Sequence, residues 1–164
     1  MEEFRKLVAK ANKHYKIADH MTYVSYRLLT DLKILINVIE NINKSLKGGV
    51  DALLKLDYIY KRVNSYPPTF DERFILFKQH CMNRYKIGTE QMLLIRELDS
   101  ILAQYKKSPM AFTRNEKFVI YSDGYKTMET LDLKIVKSYL LKAKVFILIL
   151  NNILQEKNAD YRLS

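Results

Sequence analysis

Two residues of this sequence have the types and the spacing that suit phosphate chemistry. Arg73 and His80 lie seven positions apart in a stretch with helical periodicity. Because seven residues make about two turns of an α-helix, we expect both side chains to face the same way. Arginine offers a planar fork of N–H donors to a phosphate, and histidine transfers protons near neutral pH. The pair is therefore a candidate catalytic site for phosphodiester cleavage.

The Arg73-x6-His80 spacing resembles the Arg-x(4–6)-His motif of the HEPN family, whose members are small helical bundles and often RNA-cleaving toxins. The resemblance implies a metal-independent ribonuclease in which Arg73 and His80 stabilise and protonate the scissile phosphate, usually across a dimer interface. The alternative is structural, with Arg73 paired to Asp71 or solvated. A second stretch, KSPMAFTRNEKFVIYSDGYKTMETL at residues 107–131, looks like a segment of small uncharacterised archaeal helical proteins. That resemblance implies a helical fold with a hairpin and no particular function.

The sequence lacks the residue patterns that other kinds of catalytic or metal chemistry require. The chain has three histidines and a single cysteine, Cys81, and it contains no zinc-ligand spacing, glycine-rich phosphate loop or G-x-S-x-G motif. We therefore expect no metal and no cofactor. One cysteine excludes an internal disulfide and suits a reducing compartment. The most apolar stretch, residues 145–154, is about half the length of a membrane span. These features predict a cytoplasmic protein with no membrane association.

Positive charge is the second functional lead. Lys and Arg number 28 against 18 acidic residues, which gives a formal charge of +10. Helical periodicity places five cations opposite the apolar face of the first helix, and further clusters follow before the hairpin and on the last helix. The chain is thus predicted to be a non-catalytic basic module that contacts RNA phosphates, in a ribonucleoprotein or translation-linked assembly. The candidate contacts are Arg5, Lys6, Lys10, Lys13, Lys16, Lys107, Arg114, Lys117, Lys134 and Lys137, with Lys106, Lys142 and Lys144 beside them.

Two alternatives stay open. A lysine-rich surface can be merely solvated, and the apolar last helix can bind a protein partner or form a homodimer instead of lying buried at the centre of a bundle. Tyrosines close in sequence to basic residues, namely Tyr15, Tyr121 and Tyr125, are candidates for stacking on bases.

The elements that must position these residues are mostly helical. The first helix has an apolar face, and a second helix over 22–46 carries a heptad seam that ends at Gly48-Gly49, the residue type favoured at a C-cap. Further helices are predicted at 50–65, from Thr69 with a capping box to Glu72, at 90–106, and at 132–157. The apolar face of the first helix comprises Phe4, Leu7, Val8, Ala11, Tyr15 and Ala18; the seam comprises Leu28, Leu32, Leu35, Ile39, Ile42 and Leu46, widened by Leu29 and Ile36.

A β-hairpin is predicted before the last helix. Asp123-Gly124 lies between aromatic and β-branched runs, which is typical of a two-residue turn. That turn would pair Ser122 with Tyr125 and Val119 with Met128. Because strands and helices do not alternate, the predicted fold class is all-α: an antiparallel bundle of five to six helices, with one β-hairpin at about 117–131, in a single domain over 1–164.

Overall fold

The computed structural model describes residues 1–29, 31–108, 110–122, 126 and 128–163, the last four of these by their backbone alone. The described chain is mostly helical, with a small antiparallel sheet before the last helix, so the predicted fold class is confirmed. Its elements are α1 (Glu2–His20), a π-helical segment (Met21–Ser25), α2 (Tyr26–Leu29), α3 (Ile34–Ile59), α4 (Phe70–His80), α5 (Thr89–Lys107), β1 (Ala111–Arg114), β2 (Lys117–Tyr121), β3 (Met128–Leu131) and α6 (Leu133–Leu163).

Helix α1 packs as its periodicity predicts. Phe4, Val8, Ala11 and Ala18 are fully buried, and the remaining members of the predicted face are partly buried. The chain then continues without a break into the π-helical segment, where the hydroxyl of Thr22 donates to the Ala18 carbonyl over 2.7 Å. The prediction of a separate helix beginning at Thr22 was therefore wrong.

The predicted heptad seam is correct only from Leu32 onward. Leu28 and Leu29 are 78% and 66% exposed on α2, whereas Leu32 and the later seam residues are buried. A turn over 31–33 separates the two helices, and in this turn Asp31 accepts a bond from the Lys33 amide. Aspartate favours such turns because its carboxylate binds nearby backbone N–H groups.

Gly48-Gly49 does not end a helix. Helix α3 runs through both glycines to Ile59, and a Schellman motif at Lys61 ends it. A Cβ at Gly49 would lie 2.6 Å from Cε1 of Phe146, and one at Gly48 would lie 3.5 Å from the Ala11 Cβ. Gly49 therefore allows α6 to approach α3 closely, whereas a methyl group at Gly48 would make an ordinary van der Waals contact. The predicted helices over 22–46 and 50–65 are joined for most of their length in the single helix α3.

Helices α4 and α5 begin where the sequence predicts. The Thr69 side chain accepts the Glu72 amide and donates to the Glu72 carboxylate over 2.6 Å, which confirms Thr69 as the N-cap of α4. Gly88 precedes α5 as its N-cap. Phe74, Phe77 and Cys81 of the α4 stripe are buried in the core.

The β element is a three-stranded sheet in the order β1-β2-β3, where a hairpin was predicted. Its first turn, Asn115-Glu116, has positive φ at both residues and joins Arg114 to Lys117, as a type I′ turn requires. Val119 pairs with Thr130, so the predicted pairing with Met128 was wrong. Tyr121 is the partner of Met128, so the observed register differs from the predicted one by two positions. Asp123, Gly124 and Tyr125 lie outside the described residues.

The central helix of the bundle is α3. Helices α1, α4, α5 and α6 all pack against it, and a continuous apolar core joins all five. Helix α6, which the sequence favours as the central one, lies at the surface. Among its described side chains, Leu141, Val145 and Leu148 form an exposed apolar stripe.

Candidate functional sites

The predicted cationic residues of α1 lie on its outer side. Lys6, Lys10, Lys13 and Lys16 are exposed, and Arg5 is half-buried with its Nε donating to Asn158 of α6. Lys6 forms an ion pair with Glu2 over 2.6 Å, one turn away. A shallow groove of about 610 Å³ runs along the same side, bordered by Lys13, Lys16 and His20 together with the apolar Ile17 and Met21.

Helices α1 and α6 lie side by side and antiparallel. Asn12 and Asn151 exchange two side-chain hydrogen bonds of 2.8 and 3.0 Å, and Lys137 lies over the ring of Tyr23. Lys16 lies one turn beyond Asn12, and Lys144 lies two turns before Asn151, so both border the line where the helices meet.

The cations of the two helices therefore form a stripe that begins at the helix junction with Lys16 and Lys144. On α1 the stripe continues through Lys13 to Lys10, which lies on the side of the helix away from α6. We call Lys10, Lys13, Lys16, Lys137 and Lys144 the lysine face. None of these five forms an ion pair with a carboxylate in the part of the chain that the structure describes. By contrast, Lys55 pairs with Glu3 and Lys142 pairs with Glu90. The charge of the lysine face is thus left for solvent or for a ligand.

The remaining predicted contacts do not join this face. Lys107 is exposed at the end of α5, and Lys134 is exposed in the first turn of α6. Arg114 and Lys117 are exposed and directly opposite each other beside the β1–β2 turn. Among the tyrosines, Tyr15 is partly buried, and burial raises its pKa to about 12. Tyr121 packs against Phe112, at 6.0 Å between ring centroids.

Arg73 and His80 both lie on α4, but the Arg73 side chain is already hydrogen-bonded to other parts of the protein. Its Nε and Nη2 donate to the two carboxylate oxygens of Asp51, at 2.7 and 3.2 Å, and its Nη1 donates to the carbonyls of Pro67 and Pro68. The hydrogen bond to Asp51 raises the pKa of the guanidinium. The predicted alternative partner, Asp71, instead accepts from Arg96. His80 is exposed at the last position of α4. Four hydrogen bonds to the protein therefore already engage the guanidinium of Arg73, which has five N–H donors.

A buried carboxylate that was not predicted from the sequence organises a second cationic site. Asp57 is 0% exposed near the end of α3. Its Oδ1 accepts from the Tyr85 hydroxyl at 2.6 Å and from Arg62, and its Oδ2 accepts from Arg84 and from the Cys81 thiol at 3.2 Å. Burial, together with the bond to Asp57, raises the pKa of Cys81 and of Tyr85. Both groups therefore stay protonated at neutral pH.

This Asp57 cluster forms one wall of a pocket of about 450 Å³. We call it the cationic pocket. The sequence does contain a signal for this pocket. Asp57 continues the heptad spacing of Leu46, Val50 and Leu53, so a carboxylate lies on a buried seam and needs hydrogen-bond donors around it. The pocket is lined by Arg62, Arg84, Tyr85, Lys86, Ile149, Asn152, Ile153, Glu156 and Lys157.

Other kinds of site have no candidate among the described residues. Within those ranges, no group of three or more His, Cys, Asp or Glu side chains is placed to hold a metal ion. No described helix is long and apolar enough to cross a membrane. The chain matches no protein-family model, and no similar curated protein or solved structure was found.

Proposed function

We propose that this protein is a non-catalytic helical module that binds RNA through the lysine face. The observation that carries the proposal is the side-by-side packing of α1 and α6, which merges cations from both ends of the chain into one surface without ion-paired carboxylates among the described residues. Phosphates are the ligands that such an array of lysines attracts independently of sequence. The groove beside Lys13 and Lys16 adds aliphatic surface against which a ribose or a base can pack.

The proposal predicts salt-sensitive binding to a mixed RNA pool. With about five phosphate contacts to single-stranded RNA, the affinity should fall about 30-fold between about 150 and 400 mM salt. Reversing the charge of Lys10, Lys13 and Lys16 to Glu should abolish binding at the lower concentration. The matched control is Lys33→Glu, Lys78→Glu and Lys106→Glu, which changes net charge equally at exposed positions outside the lysine face. Equal loss in both triple variants would show non-specific attraction and contradict the proposal.

The same experiment distinguishes the ribonuclease hypothesis from the proposal of non-catalytic RNA binding. If the RNA is cleaved without metal, and cleavage is lost in His80→Ala, the HEPN-like function replaces the one proposed here. Arg73 gives that hypothesis little support, because Asp51 and two carbonyls already occupy four of its five N–H donors.

One observation favours a second candidate function, self-association. Leu141, Val145 and Leu148 are 61%, 49% and 52% exposed on one side of α6, and their spacing matches a helix–helix seam. A dimer formed through this stripe would bury the apolar side chains, and salt would strengthen it by screening the lysines nearby. If RNA does not bind, sedimentation at about 150 and 400 mM salt tests this candidate, and a monomer at both concentrations excludes it.

A further inference from the structure

We propose that the cationic pocket binds the phosphate group of a small hydroxylated phosphate ester, such as a nucleotide. This inference is independent of the RNA proposal, because no residue of the lysine face lines the pocket. Its support comes from charge, from unfilled donors, from shape and from the backbone.

The first support for the proposal is the positive charge of the pocket together with its unused hydrogen-bond donors. Asp57 is a single carboxylate bound by two guanidiniums, and Lys86 adds a further cation to the pocket, whose other carboxylate is that of Glu156. Arg62 and Arg84 each reach Asp57 through Nη1. Among the described residues, their other N–H groups have no acceptor. A phosphate carries the charge and the acceptor oxygens that this arrangement leaves unmatched.

The shape of the pocket suits a small molecule. Its volume of about 450 Å³ lies in the range of sites that enclose one small ligand. The helix α6 wall presents Ile149 and Ile153 beside the polar groups of Asn152 and Glu156. The apolar part can contact a base or a carbon chain. The amide and the carboxylate can bind hydroxyl groups, which is why we specify a hydroxylated ester.

The backbone at Lys86 is costly for a lysine. Lys86 has φ 53° at the end of a helical turn, where the Ile87 amide donates to the Met82 carbonyl in a Schellman pattern. Glycine is the residue favoured in this left-handed conformation. Lys61 has φ 56° in the equivalent position after α3. Of the two, only Lys86 lines the cationic pocket, and strained backbone of this kind concentrates at functional sites.

This pair of lysines gives the decisive experiment. Titration of the full chain with AMP, followed by calorimetry, should show saturable binding, whereas adenosine should not bind. Lys86→Gly should weaken AMP binding about tenfold, because a charge-assisted contact is lost. Lys61→Gly removes the same charge and relieves the same backbone strain outside the pocket, so its affinity should stay within about twofold of wild type. Both variants should keep the wild-type melting temperature or raise it, since glycine suits both positions.

Three results would overturn the proposal: no saturable AMP binding at millimolar concentrations, equal binding of adenosine, or equal loss in the two glycine variants. The triple Glu variant of α1 should bind AMP like wild type. That control separates failure at the pocket from failure at the lysine face.

Discussion

At the scale of single residues, two adjacent glycines in α3 have different surroundings. Gly49 faces Phe146, whose ring is fully buried and also packs edge-on against Phe77. Gly48 faces Ala11 at an ordinary van der Waals distance. Glycine is a poor helix former, so two of them in the middle of α3 lower its intrinsic stability. Close packing of α6 explains the glycine at position 49, but the contact with Ala11 does not require one at position 48.

This difference predicts opposite effects of the same substitution. Gly49→Ala places a methyl group against a ring that cannot move freely, and it should destabilise the protein by about 2 kcal/mol. Gly48→Ala meets no clash and gains helix propensity, so it should be neutral or stabilising by up to about 1 kcal/mol. Urea denaturation of both variants measures the difference. Equal effects on the free energy of unfolding would mean that Phe146 does not restrict the position.

At the scale of elements, Arg73 connects α4 to the rest of the bundle. Its bonds reach Asp51 in α3 and the two proline carbonyls of the preceding loop, and its guanidinium lies over the ring of Tyr66. The Arg73 and Asp51 side chains are only 14% and 18% exposed. Removing one partner of such a pair leaves the other poorly solvated.

The two residues of the HEPN-like motif should therefore differ in stability effects. Arg73→Gln should lower the free energy of unfolding by about 2 kcal/mol, because Asp51 and two carbonyls lose their donor. His80→Ala, at an exposed position outside the core, should stay within about 0.5 kcal/mol of wild type. Thermal or urea unfolding checks both values. An Arg73→Gln variant as stable as wild type would show that Arg73 has no structural role and would return attention to the catalytic hypothesis.

The sequence correctly predicted the helices whose first residues or apolar faces are marked by particular residue types. The N-cap at Thr69, Gly88 before α5 and the apolar face of α1 were all predicted correctly. The boundary between α2 and α3 was missed, because the 4, 3 spacing of apolar residues continues through the turn and only Asp31 marks it. The predicted strand register was wrong because Asp123-Gly124 indicates a turn without fixing which residues of the flanking strands pair.

At the scale of the whole molecule, the candidate sites combine residues that are distant in sequence. The cationic residues of α1 could be read from helical periodicity, but their junction with Lys137 and Lys144 depends on how α1 and α6 pack. The cationic pocket draws on the end of α3, the turn after α4, and α6. Only the placement of Asp57 on a buried seam was visible in the sequence, and its partners could not be read from that. Net charge indicated a class of ligand without giving its location.

The burial of Cys81 has a consequence for global stability that can be isolated by pH. Burial and the bond to Asp57 raise the pKa of the folded thiol above its unfolded value of about 8.5. Above about pH 8.5 the unfolded chain therefore binds fewer protons than the folded one, and the free energy of unfolding falls as the pH rises, by at most about 1.4 kcal/mol per pH unit. Below that pH the thiol is protonated in both states and contributes no slope.

Between about pH 8.5 and 10, the effect of this thiol on the free energy of unfolding can be distinguished from the effect of the tyrosines. The pKa values of Tyr15, Tyr66, Tyr85 and Tyr139 are also raised by burial, but unfolded tyrosine titrates only near pH 10. Cys81→Ser keeps a donor for Asp57 and removes the titration, so its stability should stay level until about pH 10. Urea denaturation at several pH values compares the two proteins. If wild type and Cys81→Ser lose stability equally across this window, the thiol is not the group responsible, because it is the only group titrating in this range in which the two proteins differ.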